Sequence, residues 1–190
     1  MSMALENERM LYAAKLILTL AGCDVQRTNL IKALFYLDLL WLRDTGKTYT
    51  GEAYVALPQG PVVDGYKVRL IEPLLADPDV VEKSVRLFPN ATAKMLRMSA
   101  DAPMPDDEHL EITARRVVER VAGQRAVDVS ELTHENVAWL TAIRKGNGTP
   151  INMVLALQQV IDDDPWLDAA QTVDERACVE AALTQETRPF

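Results

Sequence analysis

The sequence predicts a mainly α fold: a single compact helical domain over residues 1–190, built on a central apolar helix, with a small antiparallel β element. Three observations predict it. Residues 30–42 carry only Lys32 and Asp38 as charged side chains, a run too long for a strand and apolar almost all round, as in a helix at the centre of a domain. Residues 10–21 and 110–121 repeat apolar positions at helical spacing. Residues 80–87 and 91–98, joined around Phe88-Pro89-Asn90, have the β-branched texture of a hairpin.

The elements follow in order. Met10, Leu11, Ala14, Ile17, Leu18 and Ala21 form one face of a first helix over about 6–21, stopped by Gly22. A second helix runs over 28–44 and ends at Gly46. Residues 48–57, with Tyr49 and Tyr54, read as a short strand or extended loop. Pro58-Gln59-Gly60-Pro61 forces a tight turn, and Pro61 suits the first position of a helix over 62–75. After the hairpin, Asp106-Asp107-Glu108 open a helix with carboxylates favoured by its dipole, and Gly123 closes it. Asp128 and Glu131 have capping-box spacing for a short helical turn. Residues 133–136 start another helix carrying Trp139, the loop 146–150 follows, and a helix covers 151–161. Asp162-Asp163-Asp164-Pro165 breaks the chain before a last helix over about 166–185.

Charge and cysteine content narrow the function. The net charge of −8 argues against non-specific nucleic-acid binding, which rests on Lys and Arg neutralising phosphates. All of the excess lies in residues 101–190, with 8 basic and 17 acidic groups, against 12 and 11 in residues 1–100. Cys23 and Cys178 stand alone, which suits a reducing compartment. Leu20-Ala21-Gly22-Cys23 looks like a lipoprotein cleavage box. However, Glu6 and Glu8 precede its apolar stretch where positive charge is needed, and Lys15 interrupts it. The expected location is the cytoplasm, without membrane insertion.

Catalytic chemistry finds little support. His109 and His134 belong to no metal-binding helix pair, so no metal is expected. The acidic triplets read as helix-start and chain-break chemistry. Phosphate-cradling glycine motifs and a serine-nucleophile elbow are missing, so no cofactor is expected. Asp38 has two readings. It is a catalytic carboxylate with a raised pKa, or a helix-centre acid bonded to a hydroxyl or basic group in the segment 48–60. The structural reading is the favoured one.

The helix from Leu30 to Gly46, with Tyr36 and Asp38 inside it, is followed by Thr50-Gly51-Glu52-Ala53-Tyr54 and then Ala56-Leu57-Pro58-Gln59-Gly60-Pro61-Val62. Together with Leu132-Thr133-His134 through Ala138-Trp139, this order resembles the signature of the Panacea domain, over most of residues 8–160. Gln59 stands where an aromatic residue is often found. The resemblance implies an antitoxin of a two-gene bacterial or phage module that binds and neutralises a protein toxin, in some similar proteins as an adaptor to a protease. It implies no enzymatic activity.

On that reading Tyr49, Tyr54, Gln59 and Pro61 offer low-entropy contacts to the toxin. The competing reading packs Tyr54 and Pro61 onto the second helix, makes His134 a helix-start hydrogen bonder and buries Trp139 in the core. Two other functions compete. One is a DNA-binding autorepressor using residues 25–44 as a helix-turn-helix, and the other is an enzyme using Asp38 or His134.

Overall fold

A computed structural model describes residues 2–88 and 91–162 of the chain. Helix α1 (Ser2–Ala21) leads through β1 (Val25–Gln26) into α2 (Arg27–Thr45). Every residue of α2 from Asn29 to Trp41 is buried, as its composition predicts. Leu34, Phe35 and Leu37 are fully enclosed, each stabilising the fold by about 2 kcal/mol relative to an exposed side chain. Gly46, at φ +77, ends the helix by donating its N–H to the carbonyl of Leu42.

Around α2 pack α1, α4 (Glu108–Val117) and its π-helical continuation Val118–Ala122, and α5 (Ala126–His134). Asp107 caps α4 by accepting from the N–H groups of His109 and Leu110. Helices α6 (Val137–Ile143), α7 (Met153–Ala156) and α8 (Gln158–Asp162) complete the helical part, and a π-helical turn, Lys67–Ile71, precedes α3 (Glu72–Ala76). The mainly α class holds.

The β component divides into two antiparallel three-stranded sheets. The expected hairpin, β4 (Val80–Phe88) with β5 (Ala91–Met98), gains β1 on the far edge of β5. The second sheet has β2 (Tyr54–Leu57) in the middle, between β3 (Gly60–Val63) and β6 (Thr149–Pro150).

That second sheet corrects the helix expected over 62–75. Leu57 pairs with Gly60 and Ala56 with Pro61, so Pro58 and Gln59 form a two-residue turn and Pro61 lies in a strand. A proline is tolerated there because β3 is an edge strand, where a missing N–H breaks no ladder. Helical structure begins only after Gly65, which has φ +66, and leads into the π-helical turn Lys67–Ile71.

Two helix starts also move. Arg125 is the N-cap residue of α5, and Asp128 sits inside the helix with its carboxylate on the Arg125 guanidinium at 2.7 and 2.8 Å, so the expected capping box does not form. The helix expected to open at 133–136 is two helices, because α5 runs to His134 and Asn136 caps α6 through Ala138 and Trp139. The expected loop 146–150 ends in β6, and the helix over 151–161 is divided into α7 and α8. The last helix, expected over 166–185, lies outside the described residues.

Candidate functional site

Asp38 sits midway along α2 with no exposed surface. Its carboxylate accepts from the Thr50 N–H at 2.8 Å, from the Thr50 hydroxyl, and from the Tyr54 hydroxyl at 2.8 Å. The Thr50 hydroxyl in turn accepts from the N–H of Glu52 at 3.1 Å. Burial pushes the Asp38 carboxyl up to about 6, against the lowering effect of the Thr50 and Tyr54 hydrogen bonds. Burial, then the Asp38 charge, hold the Tyr54 phenol well above its ordinary value. One acid therefore ties the segment after α2, including the Gly51 turn at φ +75, and the start of β2 to the central helix. These hydroxyl partners in the segment 48–60 are the ones that the structural reading of Asp38 expects.

The far end of the same hairpin is clamped by different residues. Gly60 has φ +111, and a Cβ built on it would come 2.8 Å from both Lys32 Cε and Thr133 Oγ1. Only glycine allows the β2–β3 turn to close over α2 and α5. The Trp139 indole donates to the Leu57 carbonyl at 3.0 Å, and the His134 ring stacks on Trp139 at 4.3 Å and 11°. His134 ends α5 instead of starting a helix, and its buried Nε2 has no hydrogen-bond partner among the described residues. Tyr36 donates to Gln159 Oε1 at 3.2 Å, and Asn136 donates to the same oxygen at 2.9 Å. The interrupted signature is thus one object in space: a hairpin pinned to α2 at both ends.

Beside the hairpin tip lies a cleft of about 240 Å³, walled by Arg27, Thr28 and Lys32 of α2, Pro58 and Gln59 of the turn, and Tyr66. Lys32 is 1% exposed, and its ammonium donates to the Ser130 hydroxyl at 3.3 Å. Burial lowers its pKa to about 8.

The four residues expected to touch a partner separate. Gln59 is exposed at the turn. Tyr49 is half-buried, edge-on to Trp41 at 5.2 Å. Tyr54 is 1% exposed and faces Asp38, and Pro61 is buried in β3, so both pack the hairpin onto α2. Trp139 is core, as expected. Sequence reasoning passed over Pro58, Thr133 and above all Lys32. A lysine in the middle of an apolar helix was the available signal, as strong as that of Asp38.

The competing functions fare differently in this geometry. Helix α2 is buried from Asn29 to Trp41, so it offers no recognition face to a DNA groove over most of the expected 25–44 motif. Asp38 is sealed beneath Thr50 and Tyr54, with no surface open to a substrate. Among the described residues no group of three or more His, Cys, Asp and Glu side chains is arranged to hold a metal ion, and no helix is long and apolar enough to cross a membrane.

The chain matches the model of a known protein family. That model, described as antitoxin SocA-like, Panacea domain, matches residues 30–140, which hold α2 from Leu30 onward, the β2–β3 hairpin, Thr133, His134 and Trp139. No curated protein and no solved structure matches the chain. With more than half of its length matched, the chain belongs to the SocA-like antitoxin family, which carries the Panacea domain.

Proposed function

We propose that this chain is the antitoxin of a two-gene module, acts in the cytoplasm, and neutralises a protein toxin by direct binding rather than by a chemical reaction. The toxin contacts the tip of the β2–β3 hairpin and the cleft beside it. The observation that carries this reading is the convergence of the family signature on one hairpin, which leaves Pro58 and Gln59 at its outer end. Asp38, Gly60 and Trp139 lie beneath or behind that tip and fix its position. A two-residue turn held at both ends loses little conformational entropy when it is covered, which is what an affinity surface needs. Tyr49 lies outside this face in the proposal, as a prop for Trp41.

The test is co-expression with the product of the adjacent gene. Growth rescue and co-purification are the expected results. Failure of both with every small adjacent gene counts against the reading. Handing the bound toxin to a protease is a further mode of the same contact, and it is recognised by a shortened toxin half-life in cells when the antitoxin is present.

A further inference from the structure

The cleft at the hairpin tip is chemically lopsided. Two cations, Arg27 and Lys32, stand in its wall, and among the described residues no acid lines it, on a protein with a net charge of −8. The Arg27 Nη2 pairs with Glu82, while its Nε is buried without a hydrogen-bond partner among the described residues. The Lys32 ammonium meets the neutral Ser130 hydroxyl at 3.3 Å and, among the described residues, no carboxylate. Arg27 and Thr28 also begin α2, a 19-residue helix with no side-chain cap and no acid in its first turn. The positive end of its dipole therefore adds to the same region. Gly60 completes the arrangement, because its missing side chain is the space through which the Lys32 stem passes beneath the hairpin.

Burying an ammonium without an acid is costly, and a charged partner offsets much of that cost. We infer that this cleft is a binding site for an oxyanion group, a carboxylate or phosphate, held by the Lys32 ammonium and the Arg27 Nε–H at the start of α2. Two sources supply that chemistry. One is an acidic side chain of the bound toxin, which rests on the proposed function above. The other is a free small anion, which does not.

The test titrates the full chain with sodium acetate and with inorganic phosphate at constant ionic strength, following amide NMR shifts. Saturable shifts at Thr28, Lys32 and Gln59, weakened at least about tenfold in Lys32→Met, support the site, tenfold being the size of one lost charge-assisted hydrogen bond. Shifts that never saturate, or that persist unchanged in both Lys32→Met and Arg27→Gln, overturn it. Gln59→Glu guards against misfolding, since it alters only an exposed turn residue. Its own carboxylate is expected to occupy the cleft, exclude added anion and raise the Lys32 pKa, and an unchanged anion affinity in that variant overturns the inference. Repeating the titration with toxin bound identifies the source. Loss of anion binding means that the toxin delivers the group, and retained binding means a free anion. Failure of toxin rescue with intact anion binding removes the proposed function and leaves the site standing.

Discussion

Gly60→Ala tests the local geometry on which the candidate site depends. Two costs add at this position. Its φ of +111 is strained for any residue with a side chain, at about 1–3 kcal/mol. The new methyl would also sit 2.8 Å from Lys32 Cε and from Thr133 Oγ1, an overpacking worth about 1–3 kcal/mol. Gly46→Ala supplies the control, because Gly46 has φ +77 but nothing within 4 Å of its Cβ position. Only the backbone cost of about 1–2 kcal/mol applies there. Urea unfolding followed by circular dichroism should place Gly60→Ala about 2 kcal/mol below Gly46→Ala, or about 4–8 °C lower in Tm for a chain of this size. Adding Thr133→Ala should recover part of that gap by removing one of the two obstructing atoms. A Gly60→Ala protein no less stable than Gly46→Ala, with no coupling to Thr133, would refute the close approach of the hairpin to α2 and α5.

Three further outcomes follow from the buried charges. The Asp38 carboxyl has its pKa raised from 3.8 to about 6, so the folded state binds more protons than the unfolded one between those values. Stability should fall as pH rises through that window by up to about 3 kcal/mol, and Asp38→Asn should flatten the curve in pH-dependent urea melts. Lys32 is depressed from 10.5 to about 8, so its unfavourable burial is fully present below pH 8 and is relieved as pH rises towards 10.5. Lys32→Met should therefore raise Tm at pH 7, by up to about 3 kcal/mol in stability, and remove that alkaline gain. Arg69→Ala should cost about 2 kcal/mol in the same melts, because it strips the guanidinium from a Glu52 side chain that is 2% exposed. That is less than a fully buried pair loses, since Arg69 itself is 35% exposed.

The helical frame was legible because its signals are local. An apolar run with two charges announced α2, and Gly22, Gly46 and Gly123 marked helix ends where the structure has them. Asp38 was legible too, since an acid in that helix had to find hydroxyl donors and the following segment held them. The β2–β3 hairpin was not. Pro61 fits a helix start and an edge strand equally well, and the pairing of β2 with β6 joins residues about a hundred positions apart, beyond any window of periodicity. The cleft stayed hidden for the same reason. Arg27 and Lys32 come together with Gln59 and Tyr66 only when the hairpin folds back over α2, a contact that depends on the empty side of Gly60.

The central claim is that the hairpin tip is the surface that grips a toxin. Its most direct measurement is the Kd of the purified adjacent-gene product for the wild-type chain, for Gln59→Arg, and for Val81→Arg on the other sheet. Gln59→Arg should weaken binding at least about thirtyfold, the scale of one interface hot spot, with Tm unchanged and growth rescue lost, while Val81→Arg binds as the wild type does. Equal affinity of all three proteins for the toxin would contradict the claim.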